Sequence, residues 1–203
     1  MEYSLLIEHD HISKIKIEDL LPFTDSWCEK LIDLQRKKES LLARFLVNKI
    51  CKKLKLGSFH ECGFKKDSKG RPYFSNHPNL FLSITHCQGY VFVAASNSPI
   101  GIDFEKINPI ACEDLKIAFN DPDWETVSAD MNSLFKYFSL KESYSKMIGT
   151  GFTTEPAEIQ IKDLKKNSYF TFFEKNDLRY IFTIITSHFE PEKFLNLQLN
   201  FSI

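Results

Sequence analysis

Apolar residues in the first third of the chain recur every three or four positions, which is typical of one face of an α-helix. The residues in this pattern are Leu31, Leu34, Leu41, Leu42, Phe45, Leu46, Ile50 and Leu54. They predict a long helix that begins near Trp27, is closed by Gly57 and lies against a sheet. A short strand is predicted before it at residues 3–7, and Pro22 separates the two elements.

Two short apolar runs predict a β-hairpin in the middle of the chain. They cover residues 80–84 (LFLSI) and 90–95 (YVFVAA), on either side of the polar sequence THCQG. Polar residues and a glycine between two strands are typical of a turn, so His86 is expected at the bend. A basic, turn-rich loop at residues 65–72 precedes the hairpin, and a further short strand is predicted at residues 100–104.

The second half of the chain changes from helical to β-type patterns. Helical segments are predicted around residues 111–119 and 132–148, and Gly149 and Gly151 end the second one. From residue 157 onward, β-branched and aromatic residues dominate in four runs, which predict antiparallel strands. The runs are AEIQI, SYFTFF, YIFTII and FLNLQL. Helix and sheet are thus predicted in both halves, without a linker or a detectable repeat between them.

Charge and cysteine content exclude several classes of protein. The chain has 26 Lys and Arg against 27 Asp and Glu, so no basic field favours nucleic acid as a partner. Its five cysteines are odd in number and never closer than eleven residues, which indicates neither a disulfide framework nor a CxxC metal site. Free thiols in a reducing compartment are therefore expected.

The sequence gives no sign of export or membrane insertion. The N-terminal residues lack the basic and apolar regions of a signal peptide, and no run of about 18 apolar residues occurs. We therefore expect a cytoplasmic protein without a membrane partner.

Two carboxylates stand two positions apart in the segment GIDFE, residues 101–105. Side chains alternate between the faces of a sheet, so Asp103 and Glu105 are expected on the same side of their strand. Two like charges side by side favour a bound cation. A solvent-facing acidic pair on an ordinary strand would show the same spacing.

A second group of charged residues lies on the predicted helix at 132–148. Glu142 and Lys146 are four positions apart and share a face, while Lys141 projects from a neighbouring part of the helix. A surface ion pair worth about 0.3–0.5 kcal/mol would have the same spacing. In the hairpin, His86 follows Thr85, and a histidine beside hydroxyl groups can bind phosphate or simply stabilise a turn.

Taken in order, these elements resemble the three motifs of the surfactin-type 4'-phosphopantetheinyl transferases. The motifs are a G-[KR]-P turn with a downstream [NS]-[IL]-[ST]-H, then G-[IV]-D-x-E, then [WF]-x-x-K-E-[AS]-x-x-K. The matching segments are residues 70–72 (GRP) with 83–86 (SITH), 101–105 (GIDFE) and 138–146 (FSLKESYSK). Each motif alone is a weak signal, but three in the family's order argue against chance.

The chain also departs from the family pattern. The asparagine and serines common in the histidine motif are here Ser83, Thr85 and Cys87, and the usual tryptophan of the third motif is Phe138. Residues 27–28 (WC) stand where relatives carry charge that helps to hold coenzyme A.

The resemblance implies an α+β fold of two similar subdomains, related by an approximate two-fold axis, with the active site between them. Residues 1–103 would form the N-terminal subdomain with the coenzyme A-binding elements. Residues 104–203 would form the C-terminal subdomain with the helix of the third motif and the β-rich end. We expect a monomer, since both halves of the site lie in one chain.

The resemblance also implies a reaction, in which 4'-phosphopantetheine moves from coenzyme A to a serine of an acyl or peptidyl carrier protein and adenosine 3',5'-bisphosphate is released. Mg²⁺, or Mn²⁺ in its place, would be bound by Asp103, Glu105 and Glu142. The catalytic residues would be Glu142, Lys146 and His86. Glu142 would take the serine proton, and Lys146 would offset charge on the departing α-phosphate.

Coenzyme A itself would be bound by Arg71, Thr85, His86 and Lys146. Arg71 would contact the 3'-phosphate, because a guanidinium group can bind two oxygens at once. The other three side chains would contact oxygens of the phosphate groups.

Two alternatives to a transferase stay open. One is a non-catalytic module that binds coenzyme A or a carrier protein, which the altered histidine motif would suit. The other is a metal-dependent phosphohydrolase with water as the nucleophile. The intact acidic and lysine positions of the second and third motifs argue against a pure binding module.

Overall fold

The computed structural model describes residues 5–109, 112–149, 155–164 and 167–188. These residues form an α+β structure with two antiparallel sheets, as predicted. All five cysteines are free thiols, also as predicted. Among the described helices, none is both long enough and apolar enough to cross a membrane. The two-fold relation between the halves stays a prediction.

The first sheet has five strands in the order β1-β5-β4-β3-β2. The strands are β1 (Leu5–His11), β2 (Phe64–Lys66), β3 (Pro72–Phe74), β4 (Phe81–Cys87) and β5 (Tyr90–Ser96). The helices of this half are α1 (Ile17–Leu20), a 3₁₀ turn at Leu21–Phe23, α2 (Ser26–Glu29) and α3 (Leu34–Lys53). The predicted basic loop is the tight connection between β2 and β3.

Helix α3 begins later than the sequence pattern predicts. The predicted start near Trp27 falls in the separate short helix α2, and α3 begins only after Asp33. The Asp33 carboxylate accepts a hydrogen bond from the Arg36 N–H at 2.6 Å. Because this cap satisfies a free N–H of the first turn, it fixes the start of the helix. The apolar face of α3 is buried against β1 and β5, as expected.

The bend of the hairpin lies further along the chain than predicted. Strand β4 continues to Cys87, and His86 pairs with Val91 of β5 instead of lying in the turn. The turn consists of Gln88 and Gly89, whose φ angles are 51° and 81°. Two-residue turns with positive φ match the twist of the flanking strands, so pairing extends up to the turn. The predicted position of His86 at the bend was therefore wrong.

The second sheet has three strands in the order β6-β8-β7. They are β6 (Ile100–Lys106), β7 (Ser168–Lys175) and β8 (Leu178–Thr186). The helices of this half are a 3₁₀ helix at Glu113–Ala118, α4 (Asp121–Val127), α5 (Met131–Ile148), a 3₁₀ turn at Pro156–Glu158 and α6 (Ile161–Leu164). Helix α5 confirms the prediction for residues 132–148, and it packs across β6 and β8.

Two other predictions for this half were wrong. Residues 157–161 (AEIQI) belong to a 3₁₀ turn and the start of α6, not to a strand. Pro156 has no N–H to give to a strand ladder, and Ile161 and Leu164 are buried three positions apart, on one helical face. The described part of 111–119 is 3₁₀ rather than α-helical, and α4 was not predicted. The run FLNLQL lies outside the described residues.

A shared aromatic cluster joins the two sheets. The ring of Phe92 on β5 lies 4.6 Å from that of Phe104 on β6 and 5.0 Å from that of Phe182 on β8, centroid to centroid. All three side chains are at most 2% exposed. Burying one such ring contributes about 1.5–3 kcal/mol, so this cluster holds the halves together.

Hydrogen bonds also join the sheets, along β4 and β6. The Ile102 N–H donates to Ser83 Oγ at 3.0 Å, and the Phe104 N–H donates to Thr85 Oγ1 at 3.2 Å. Two hydroxyl-bearing residues of one strand thus bind the backbone of the other. Asp103, between these two N–H groups, lies at the seam of the molecule.

Candidate active site

Asp103 is only 2% exposed and is surrounded by hydrogen-bond donors. Its Oδ1 accepts from Lys146 Nζ at 2.7 Å and from Thr85 Oγ1 at 3.2 Å, and its Oδ2 accepts from Ser139 Oγ at 2.8 Å. A buried carboxylate is stable only where such partners compensate for lost water. The three donors therefore fix the orientation of Asp103, and Thr85 serves this carboxylate directly.

Helix α5 carries two partners of Asp103, Ser139 and Lys146, on the same face as Glu142. Ser139, Glu142 and Lys146 are three and four positions apart, which brings them to the same side of the helix. The helix begins at Asp130, whose carboxylate accepts from the Ser133 N–H at 3.0 Å. It ends at Gly149, which adopts a left-handed φ of 72°.

The helix lies directly on β6 because Gly101 has no side chain. A Cβ atom at this position would lie 1.7 Å from the carbonyl oxygen of Ser143 and 2.7 Å from the nitrogen of Met147. Both obstacles are backbone atoms, so no change of rotamer could relieve the clash. This close crossing brings the charged face of α5 within reach of the carboxylates of β6.

Glu105 and Glu142 complete a group of three carboxylates. Burial, followed by the charge of Asp103, raises the pKa of Glu105 from 4.5 to about 8, against an opposing effect of Lys146. The pKa of Glu142 is raised by the same two causes in the same order. The structure thus brings together the predicted acidic residues, and their negative charges repel one another.

Lys146 forms its ion pair across the seam. Its partner is Asp103 on β6, not Glu142 one turn earlier on the same helix. The Lys146 side chain is 31% exposed, so the ammonium group lies at the edge of the site. This geometry excludes the simple surface pair that the i,i+4 spacing alone would allow.

Lys141 has a different environment from the neighbouring Lys146. It is 0% exposed, and its Nζ donates to the carbonyl oxygens of Ala118 at 3.0 Å and Pro156 at 3.2 Å. The Asp123 carboxylate lies 3.4 Å away. Lys141 therefore holds the segments around α4 and Pro156 onto α5.

The predicted metal can be tested against these donors. Carboxylate oxygens are the ligands that Mg²⁺ prefers, and a divalent cation would relieve the repulsion among the three acids. The described residues contain no group of three or more ligating side chains already gathered for a metal ion. The site therefore fits a hard cation through the chemistry of its donors, with the Lys146 ammonium beside Asp103 in this conformation.

His86 lies in a cavity of about 340 Å³ next to the seam. The cavity is basic, since Arg36 and Lys66 also line it, as does Arg44, whose guanidinium is paired with Asp25 at 2.8 Å. Partial burial lowers the pKa of His86, and the Glu39 carboxylate opposes this effect. Such a combination of cations suits a phosphate group.

The sequence interpretation missed Arg36, Glu39 and Lys66. A signal for Glu39 exists, because it lies three and seven positions before Leu42 and Leu46 and so falls on the apolar face of α3. A charged residue on a buried face requires a partner, which pattern reading alone does not identify.

Arg71 lines a neighbouring cavity of about 190 Å³, together with Glu142 and Lys146. Its Nη2 donates to the carbonyl oxygen of Met147 at 3.3 Å, near the end of α5. The hydroxyl of Ser145, in the same cavity wall, is buried without a hydrogen-bond partner among the described residues. The predicted site residues therefore line two adjoining cavities, with His86 in one and Arg71 in the other.

Comparison with known proteins connects this geometry to a family. Residues 99–194 match the family described as the 4'-phosphopantetheinyl transferase superfamily. The segment includes β6 with Asp103 and Glu105, and α5 with Glu142 and Lys146.

Individual relatives are similar over stretches of 96 to 156 residues. The chain is 33% identical over 96 residues to the 4'-phosphopantetheinyl transferase gsp of Aneurinibacillus migulanus, covering 43% of this chain and 38% of that protein. It is 28% identical over 131 residues to the 4'-phosphopantetheinyl transferase Sfp of Bacillus subtilis (strain 168), covering 62% and 58%. It is 25% identical over 156 residues to psf-1 of Bacillus pumilus, covering 71% and 66%. The matches thus span between 38% and 66% of these relatives' own lengths.

Proposed function

We propose that this chain belongs to the 4'-phosphopantetheinyl transferase superfamily, which residues 99–194 match, and that it transfers 4'-phosphopantetheine from coenzyme A to a carrier protein. The acceptor is a serine hydroxyl of an acyl or peptidyl carrier protein, and adenosine 3',5'-bisphosphate leaves. One observation supports this most strongly. At the crossing of β6 and α5, Lys146 pairs with Asp103, and the charge of Asp103 acts on both Glu105 and Glu142, beside two cavities that can take an anionic substrate.

Coenzyme A binding is the first step. We assign Arg71 to the 3'-phosphate, and His86 and Lys146 to the phosphate oxygens, as the family motifs imply. The basic lining at Arg36 and Lys66 adds charge that favours the same ligand. The Thr85 hydroxyl, which donates to Asp103, contributes by fixing that carboxylate beside the phosphates.

Glu142 is the residue proposed to take the proton from the attacking serine. General bases work best when their pKa lies near the working pH, and the pKa of Glu142 is raised by burial and by Asp103. The carboxylate lies on the wall of the cavity that also contains Lys146. The serine oxygen would then attack the β-phosphorus, and the bond between this phosphorus and the bridging oxygen would break.

Lys146 is proposed to stabilise the leaving bisphosphate. Negative charge on the α-phosphate grows as the bond breaks, and the attraction of an ammonium group grows with it. Its partly exposed position at the edge of the site is compatible with a switch from Asp103 to phosphate oxygen.

Magnesium would be held by Asp103, Glu105 and Glu142, and Mn²⁺ is an alternative. When bound, such an ion neutralises pyrophosphate charge and orients its oxygens. Burial is the largest cause of the raised pKa of Glu105, and the charge of Asp103 is the second; a bound cation would relieve the second, which supports this assignment.

The proposal extends to the organisation of the chain. We propose two similar subdomains, residues 1–103 and 104–203, in a cytoplasmic monomer that acts without nucleic acid or membrane. The change of sheet between Ser96 and Ile100 is close to this boundary, which supports it.

The test is incubation of the protein with coenzyme A and Mg²⁺, with and without an apo-carrier protein. We expect bisphosphate release only when the acceptor is present, and a carrier mass increased by one phosphopantetheine group. Release without acceptor would indicate a phosphohydrolase, and no release with any of several apo-carriers would indicate a binding module. Either result would overturn the proposed transfer.

A further inference from the structure

Glu39 is a buried carboxylate at the wall of the basic cavity. It is 4% exposed, on the face of α3 that packs against the first sheet. Its Oε1 accepts from the Gly89 N–H at 3.0 Å and from Gln35 Nε2 at 3.1 Å. Its Oε2 lies 3.0 Å from Nδ1 of His86. One carboxylate therefore joins α3, the turn of the hairpin and the histidine of the first motif.

This arrangement determines which nitrogen of His86 carries the proton. The Gly89 N–H and Gln35 Nε2 both donate to Oε1. An ionised carboxylate accepts hydrogen bonds at both oxygens and cannot donate one. His86 must therefore present Nδ1–H to Glu39. The Nε2 atom is then left for the cavity, and the side chain is 52% exposed there.

The charges facing His86 come from three further elements. Arg36 of α3, Lys66 of β2 and Lys146 of α5 disfavour a positive histidine, and Glu39 is the group that favours it. Without Glu39, protonation of His86 would add a fourth cation beside Arg36, Lys66 and Lys146. With Glu39 in place, the imidazolium donates its Nδ1–H to this carboxylate and can donate its Nε2–H to an anion.

We propose that Glu39 is a positioning residue that holds His86 with Nε2 directed into the basic cavity, so that the ring, on taking up a proton at Nε2, binds a phosphate group of the substrate. The phosphate part of this inference rests on the proposed function. The orientation of the ring does not. Glu39 itself touches no substrate.

The first experiment determines which ring nitrogen of His86 is protonated, from the ¹⁵N chemical shifts of this residue in the full chain. The signals are assigned by their loss in His86→Gln. The neutral ring of the unchanged protein should be protonated at Nδ1. In Glu39→Gln the amide oxygen should face Gly89 and its NH₂ group should face His86, which reverses the tautomer to Nε2–H. The control is Glu8→Gln, a second buried glutamate, which pairs with Lys49 and Lys53 and should leave the His86 shifts unchanged.

The second experiment measures binding of adenosine 3',5'-bisphosphate by calorimetry. Glu39→Gln should weaken binding about tenfold in the unchanged background, and less than about twofold when His86 is already alanine. Equal losses in both backgrounds, or a ring protonated at Nε2 in the unchanged protein, would overturn the proposal. If the unchanged protein binds no bisphosphate, the phosphate assignment fails together with the proposed function, while the ring shifts still decide the role of Glu39 in orienting His86.

Discussion

The ammonium group of Lys146 lies 2.7 Å from Oδ1 of Asp103 and links helix α5 to strand β6 across the seam of the two sheets. These residues are 43 positions apart in the chain. Lys146 is thus positioned by tertiary packing, although its spacing from Glu142 is that of an ordinary helical ion pair. This relationship makes the two residues separable by experiment.

Glu142→Gln should lower kcat about a hundredfold or more, as for loss of a general base. The same change should not destabilise the protein, because Glu142 is a crowded carboxylate whose pKa is raised. Steady-state transfer to an apo-carrier protein and thermal melts measure the two effects. The exposed Glu125 of α4 provides the control, since Glu125→Gln should change neither.

Lys146→Ala should also lower kcat, and it should destabilise the protein, because Asp103 loses its ion-pair partner in a buried setting. Coenzyme A binding should suffer less than kcat in both variants. If both retain near-normal kcat, the third motif has no catalytic role.

The pH dependence of stability should report on Glu105. Its pKa is about 8 in the fold and ordinarily 4.5, so between these values the folded state binds more protons than the unfolded state. Its contribution to stability is therefore full below pH 4.5 and is lost as the pH rises towards 8. Glu105→Gln should remove this loss and stabilise the protein at pH 8 by on the order of 1–2 kcal/mol, with little effect at pH 4.5.

Melts with Mg²⁺ add a test of the metal assignment that does not depend on activity. Mg²⁺ at pH 8 should raise the melting temperature of the unchanged protein, and this gain should shrink in Glu105→Gln, because a ligand is lost. A gain of the same size in both proteins would remove Glu105 from the metal site.

Arg71→Ala should weaken coenzyme A much more than dephospho-coenzyme A, which lacks the 3'-phosphate. A charge-assisted contact contributes only when its anion is present. Arg36→Ala is the comparison, since Arg36 lines the other cavity. Selective loss in Arg36→Ala and equal losses in Arg71→Ala would move the 3'-phosphate to the cavity that contains His86.

Lys141→Met should destabilise the protein by about 3 kcal/mol, because it removes the ammonium donor from the carbonyl oxygens of Ala118 and Pro156 and leaves Asp123 without its cation. In a chain of this size the melting temperature should fall by roughly 6–12 °C. The control is Lys162→Met, at an exposed lysine of α6, which should stay within about 0.5 kcal/mol. Similar melting temperatures for the two variants would contradict the structural role of Lys141.

Most strands could be predicted from the sequence, because apolar periodicity reflects local geometry, while the α+β class was implied by the family resemblance. Helix α5 is a clear case, with Asp130 at its start and Gly149 at its end. The start of α3 was misplaced because leucines at residues 31 and 34 continue the apolar spacing across the Asp33 cap. Periodicity records which residues are apolar, while the cap decides where the helix begins.

The candidate site was predictable as a set of residues but not as a set of contacts. Order and spacing of the motifs led to Asp103, Glu105, Glu142 and Lys146, which the structure brings together. The pairing of Lys146 with Asp103 depends on how α5 crosses β6, and no local pattern contains that information. Glu39 was missed for the same reason, since its partners on β4 and the hairpin turn are distant in the chain.

The absence of a side chain at Gly101 has a consequence for how this protein can change over generations. Two backbone atoms of α5 occupy the space that any Cβ would need, so even alanine there must push the helix away from the strand. The distance between the carboxylates of β6 and Lys146 of α5 therefore depends on keeping glycine at this one position. Any replacement of Gly101 would therefore change the spacing between strand and helix, even with every residue around the two cavities kept.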